Sequence, residues 1–177
     1  YSYFYFKNDF VNTTNDIEVT IGGTEDPEED PMNISYVWKI NGQLVADINS
    51  NTLPSGTAQK NQVVTVTAEI SDGRNIVTTE ELSLVIQDAP ASLSFSSLPT
   101  THLLSDELSF SVDMIDPDAA DSASNTSSLS LMHGPAGMEL ADGQVTWTPS
   151  NLLFGQSQTF YFGFEDSLSM QTLTGSI

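Results

Sequence analysis

Cysteine is missing from all 177 residues, which removes disulfides, thiol catalysis and thiolate metal sites together. Cations are nearly missing. Lys7, Lys39, Lys60 and Arg74 stand against 24 acidic residues, for a net charge of −20. Beyond Arg74 there is neither Lys nor Arg, and each half of the chain is about equally acidic. Such a surface repels a polyphosphate backbone, so nucleic acid is excluded as a partner. It suits a cation-rich medium, where screening and bound ions quiet self-repulsion. No apolar run approaches the ~18 residues of a membrane span, and no signal peptide is legible. The chain begins at Tyr1 without Met and ends inside a strand-like run, which reads as a piece of a longer, exported protein. No stretch of helical length keeps a 3.6-residue period, so helices are not expected.

What is present alternates. Ile17, Val19 and Ile21 share one face, as do Tyr36, Trp38 and Ile40, and Val64, Val66, Ala68 and Ile70. Each pattern is that of a half-buried strand. Leu82, Leu84 and Ile86 line a further strand within Ile76 to Ile86, while Asn49 to Ala58 reads as turn chemistry. Asn41-Gly42 is a strong two-residue hairpin signal. Later come Leu108, Phe110, Val112 and Met114, a short strand ending at Trp147-Thr148-Pro149, and the aromatic face Phe160, Phe162 and Phe164. Ala119 to Ser128 reads as a polar loop. Trp38 and Trp147 fall at inward positions and are expected in the core.

The acidic stretch Glu25-Asp26-Pro27-Glu28 returns as Asp116-Pro117-Asp118, with Asp116 90 residues after Asp26. Ser71-Asp72-Gly73 returns as Glu165-Asp166-Ser167, 94 residues later. Two copies of one module explain both offsets. An immunoglobulin-like sandwich takes roughly 100 residues. The expectation is therefore all-β, two tandem immunoglobulin-like (cadherin-like) sandwiches spanning 1–88 and 89–177, joined at Gln87-Asp88-Ala89-Pro90-Ala91.

The second half resembles the cadherin-like and dystroglycan-type cadherin-like repeats of bacterial surface proteins. The residues are Asp116-Pro117-Asp118, Gly134-Pro135-Ala136-Gly137-Met138, Gly143-Gln144-Val145-Thr146-Trp147-Thr148-Pro149 and Phe164-Glu165-Asp166. The first half is similar to polycystic-kidney-disease-type immunoglobulin-like repeats through Asp26-Pro27, Tyr36-Val37-Trp38, Asn41-Gly42 and Ser71-Asp72-Gly73. The resemblance implies extracellular display, tandem arrays and calcium held by loop carboxylates. Carried onto this sequence, the ligands are Asp26, Glu28 and Asp72 in the first module, and Asp116, Asp118 and Asp166 in the second. Asp88 of the linker is expected to join the second set. Gln59-Lys60-Asn61 stands where acidic residues of the preceding domain would be.

The function so implied is a calcium-stiffened spacer or adhesion module whose partners are neighbouring repeats, surface proteins or polysaccharide. The alternative is a carbohydrate-binding accessory module of a secreted polysaccharide-degrading enzyme, using exposed aromatics such as Tyr3 and Tyr5 of the aromatic run Tyr1 to Phe6. Catalysis is not expected. His102 and His133 read as loop residues, and no nucleophile elbow accompanies Ser105-Asp106. Asn12, Asn33 and Asn125 open Asn-x-Ser/Thr sequons of the kind that chance supplies.

Overall fold

The computed structural model describes residues 1–23, 31–96, 106–118, 129–150, 153, 155–166 and 169–176, with backbone only for 165, 166 and 169–176. The described residues are all-β, with no α-helix among them. They fall into two compact units, Tyr1–Ala89 and Pro90–Ile177. Asp26, Glu28, His102, Ser105 and the Ala119 to Ser128 stretch lie outside the described residues.

Unit 1 contains β1 (Tyr3–Phe6), β2 (Ile17–Gly22), β3 (Asn33–Ile40), β4 (Gln43–Leu44), β5 (Thr52–Leu53), β6 (Val63–Ser71), β7 (Ile76–Thr78) and β8 (Leu82–Val85). One sheet has the order β1-β2-β5, and the other runs β4-β3-β6 with β7 and β8 both on β6. The inward residues of both sheets meet in one core, where Ile17, Val19 and Leu53 face Trp38, Val64, Val66 and Leu84. Phe4 and Phe6 pack against that core from β1. Trp38 is fully buried, and its indole N–H donates to the Ser50 carbonyl at 2.8 Å. A buried indole without an acceptor would carry a desolvation penalty, so this bond decides where the chain after β4 must pass.

The last strand of unit 1 differs from the continuous run expected. β7 and β8 are its two halves, separated by one extra residue opposite β6: Glu69 pairs with Thr78, but Val66 pairs with Leu82. Buried Thr79 bridges the break. Its backbone N–H donates to the Ala68 carbonyl at 2.9 Å, and its hydroxyl accepts from the Ala68 N–H at 2.9 Å. A side-chain oxygen therefore stands in for a strand carbonyl at the bulge. The Asn49 to Ala58 stretch also departs from expectation, because it contains β5 with Leu53 fully buried. Two residues are too few to show a period.

Unit 2 contains β9 (Ser92–Ser96), β10 (Leu108–Ile115), β11 (Ser130–His133), β12 (Glu139–Ala141), β13 (Gln144–Trp147), β14 (Thr159–Asp166) and β15 (Ser169–Ser176). Its sheets are β12-β13-β10-β9 and β11-β14-β15. In strand order these are 4-5-2-1 and 3-6-7, the arrangement of a constant-type immunoglobulin sandwich. The core is aromatic across the sheets: Phe110 and Phe160 lie 5.6 Å apart between ring centroids, and Phe95 and Phe162 lie 5.9 Å apart. Trp147 is buried, with its indole N–H donating to the Ala136 carbonyl at 3.2 Å. That bond gives the Gly134 to Met138 turns their place against the sandwich.

Candidate functional site

Strand register decides which loops share an end. In unit 1, Tyr3 at the start of β1 pairs with Gly22 at the end of β2, and Asn33 at the start of β3 pairs with Ser71 at the end of β6. The β2–β3 and β6–β7 connections thus leave from one end, and Asp72 sits in the second of them. Its carboxylate is committed to its own turn. Oδ1 accepts from the backbone N–H groups of Arg74 (2.7 Å) and Asn75 (2.5 Å), and Oδ2 accepts from the Asn75 side-chain amide (3.1 Å). The Asn75 backbone bond, followed by that of Arg74 and the Asn75 amide, lowers the Asp72 pKa to about 2. A carboxylate so engaged closes a loop and offers little to an ion.

In unit 2 the same logic places three connections at one end. Ser92 pairs with Ile115, Ser130 pairs with Gly163, and Asp166 pairs with Ser169 across the β14–β15 turn. Asp116 and Asp118 follow β10 directly at this end. Oδ1 of Asp116 accepts from the Asp118 N–H at 2.8 Å, an Asx turn that folds the loop back on itself. Asp118 is only 1% exposed. Asp166 is at the same end by its backbone.

Asp88 lies in unit 1, where it forms an ion pair with Lys60: Nζ to Oδ1 is 2.5 Å, with the side chains 13% and 6% exposed. The contrast between Gln59-Lys60-Asn61 and an acidic pole thus has a structural counterpart, since the lysine meets the linker aspartate. Its signal in the sequence was one of only four cations placed in a turn. Calcium needs six to eight oxygen ligands. Asp72 bonds within its own turn, and Asp88 pairs with Lys60. Asp116 and Asp118 supply two carboxylates from one loop, and among the described residues no group of three or more His, Asp or Glu side chains comes together to hold a metal.

The aromatic run at the start forms a patch on one side of β1. Tyr3 and Tyr5 are each 49% exposed, with rings 5.8 Å apart and tilted by 39°; Tyr1 is also exposed, its hydroxyl accepting from the Glu80 N–H at 3.3 Å. Tyr3 also has a structural task. A Cβ on Gly22, its cross-strand partner, would sit 2.1 Å from the Tyr3 hydroxyl oxygen, so the ring lies over the glycine backbone. His133, expected in a loop, ends β11, and its ring stands 5.9 Å from that of Tyr161.

No protein-family model and no curated protein matches this chain. Among solved structures, it is similar to the endo-fucoidan hydrolase MfFcnA4 of glycoside hydrolase family 107, at 18% identity and a TM-score of 0.35, over 85% of this chain and 23% of that one. It is similar to human protocadherin-24 EC1-2 at 15% identity and a TM-score of 0.30, over 98% and 95% of the two chains. A Bacteroides ovatus mixed-linkage glucan utilization locus protein, SGBP-B, overlaps at 11% identity and a TM-score of 0.26, over 97% of this chain and 46% of that one. Scores this low carry no argument about ligand or activity. The immunoglobulin-like assignment rests on the strand order itself.

Proposed function

We propose that this chain is a non-catalytic spacer or adhesion segment of an exported surface or secreted protein, made of modules that the chain crosses from end to end. The supporting observation is where each unit takes in and lets out its chain. In unit 1 the chain enters at the Tyr3–Gly22 end and leaves past Val85, which pairs with Val63 at the opposite end of β6. In unit 2 it enters at the Ser92–Ile115 end and leaves at Ser176, opposite Thr159 at the start of β14. A module crossed from end to end passes tension along its strands, whereas one entered and left at the same end hangs to the side. Single-molecule pulling tests this reading. The expected record has two unfolding events, each releasing about 30 nm at roughly 3.4 Å per residue. One combined event of twice that length would contradict modules acting in series.

Among the described residues, calcium belongs in this reading at the Asp116–Asp118 end of unit 2. Unit 2 contains no Lys or Arg, and a buried carboxylate there draws on N–H and O–H donors or on a bound cation.

The half-exposed tyrosines favour a second reading, in which Tyr3 and Tyr5 stack on the sugar rings of a polysaccharide. Affinity electrophoresis through neutral polysaccharide gels separates the two. Retardation abolished by Tyr5→Ala supports sugar binding, and unretarded migration supports the spacer.

A further inference from the structure

Three ion pairs among the described residues are unequal. Lys7–Glu18 and Lys39–Glu81 are surface pairs, with side chains 53% and 38%, and 39% and 48%, exposed; pairs of this kind contribute little. Lys60–Asp88 is much less exposed, at 13% and 6%, and the backbone around it is clipped in place. Gln59 and Gln62 close a turn through a Gln62 N–H to Gln59 carbonyl bond (3.0 Å) and a Gln59 N–H to Gln62 Oε1 bond (2.7 Å). Asn61 adopts φ +65° within it. The Asn61 N–H donates to the Ile86 carbonyl at 2.9 Å, and the Ile86 N–H donates to the Gln62 carbonyl at 3.0 Å. On the other side, the Gln87 N–H donates to the Val11 carbonyl at 2.8 Å, and Asn12 bridges Gln87 in parallel. The turn bearing Lys60 and the segment bearing Asp88 are thus held together before the charges are considered.

We infer that Lys60 is a built-in cation for the segment by which the chain leaves unit 1. One carboxylate is matched by one tethered ammonium, which costs no dissolved ion and leaves the pair neutral. A calcium ion at this place would need several further oxygens and would be repelled by the lysine. The order of residues 86–88 is therefore independent of dissolved calcium. The double replacement of both partners should be milder than loss of the lysine alone, because the single change removes the countercharge from a largely covered carboxylate.

Amide hydrogen exchange on the full 177-residue chain tests the inference, with Val145 of unit 2 as internal control. In the wild type, exchange at Asn61, Ile86 and Gln87 should be the same in millimolar calcium and in EDTA. Lys60→Met should speed those amides by about tenfold or more, and Lys60→Met with Asp88→Asn should return most of the protection. The inference is overturned by slowing of the wild-type amides with calcium, by unchanged exchange in Lys60→Met, or by a double variant as fast as the single one.

Discussion

In unit 1 the short fourth strand stays with the third, whereas in unit 2 it crosses to the fifth. β4 pairs with β3 through Lys39–Leu44 and Ile40–Gln43, while β12 pairs with β13 through Leu140–Val145 and Ala141–Gln144. The tight two-residue turn has moved. Asn41-Gly42, at φ 50° and 79°, directly follows the third strand of unit 1; Asp142-Gly143, at φ 49° and 75°, directly precedes the fifth strand of unit 2. Turns with two positive φ values match the twist of an antiparallel pair, so each holds the fourth strand to whichever neighbour it joins. Asn41 adds a latch, its backbone N–H donating to the Val63 carbonyl (2.8 Å) and its Oδ1 accepting from the Val63 N–H (2.9 Å). One sandwich plan thus yields two strand orders by relocating a dipeptide. A second difference is chemical: all four Lys and Arg residues lie in unit 1.

The largest expected effects come from the cores. Trp38→Ala and Trp147→Ala should each cost about 3–5 kcal/mol through the lost transfer energy and the cavity left behind. Each should lower only its own unit's transition in calorimetry; a shift of both together would break the picture of two independent cores. Next comes Thr79→Val, which leaves the Ala68 N–H without its acceptor and should cost unit 1 about 1–3 kcal/mol by urea unfolding. The unit 2 transition should be unchanged.

The turn glycines sharpen the comparison further. Gly42→Val should cost about 1–2 kcal/mol for a left-handed residue with a Cβ, since nothing lies within 4 Å of that Cβ. Gly143→Val should cost more, because its Cβ would also press on the Val112 carbonyl at 3.1 Å. Equal costs measured by chemical denaturation would sink that ordering. The smallest effect concerns pH. Asp72 titrates at about 2 in the fold against an ordinary 3.8, so its contribution is full above 3.8 and fades as pH falls through 2. Asp72→Ala should flatten the acid limb of unit 1 between those values and leave unit 2 unchanged.

Much of this architecture was legible beforehand, for stated reasons. Alternation placed Ile17, Val19, Val64 and Val66 inward, and both tryptophans with them, because a strand's two faces sort residues by period. β5 was hidden because two residues carry no period. The split of the last strand was hidden because Thr79 works through a hydroxyl that composition cannot orient. Asp142-Gly143 was open to the rule that identified Asn41-Gly42 and went unread beside the longer Gly143 to Pro149 motif. For the acidic loops, spacing places Asp72 and Asp116 after the right strands. It says nothing about whether an Asp oxygen turns outward or back onto its own backbone, which local dihedrals decide. The Lys60–Asp88 pair joins residues distant in sequence, and no short-range pattern reports it.

The central claim is that the two units share a plan but treat their carboxylates differently: unit 1 pairs a few of them with its own lysines, whereas unit 2 contains no Lys or Arg. Calorimetry of the 177-residue chain in calcium and in EDTA, at matched ionic strength and with transitions assigned by the tryptophan variants, puts this to the test. The account predicts that calcium leaves the unit 1 transition in place and raises that of unit 2, an effect lost in Asp118→Asn. A calcium-dependent rise of the unit 1 transition, or no response from unit 2, would contradict it.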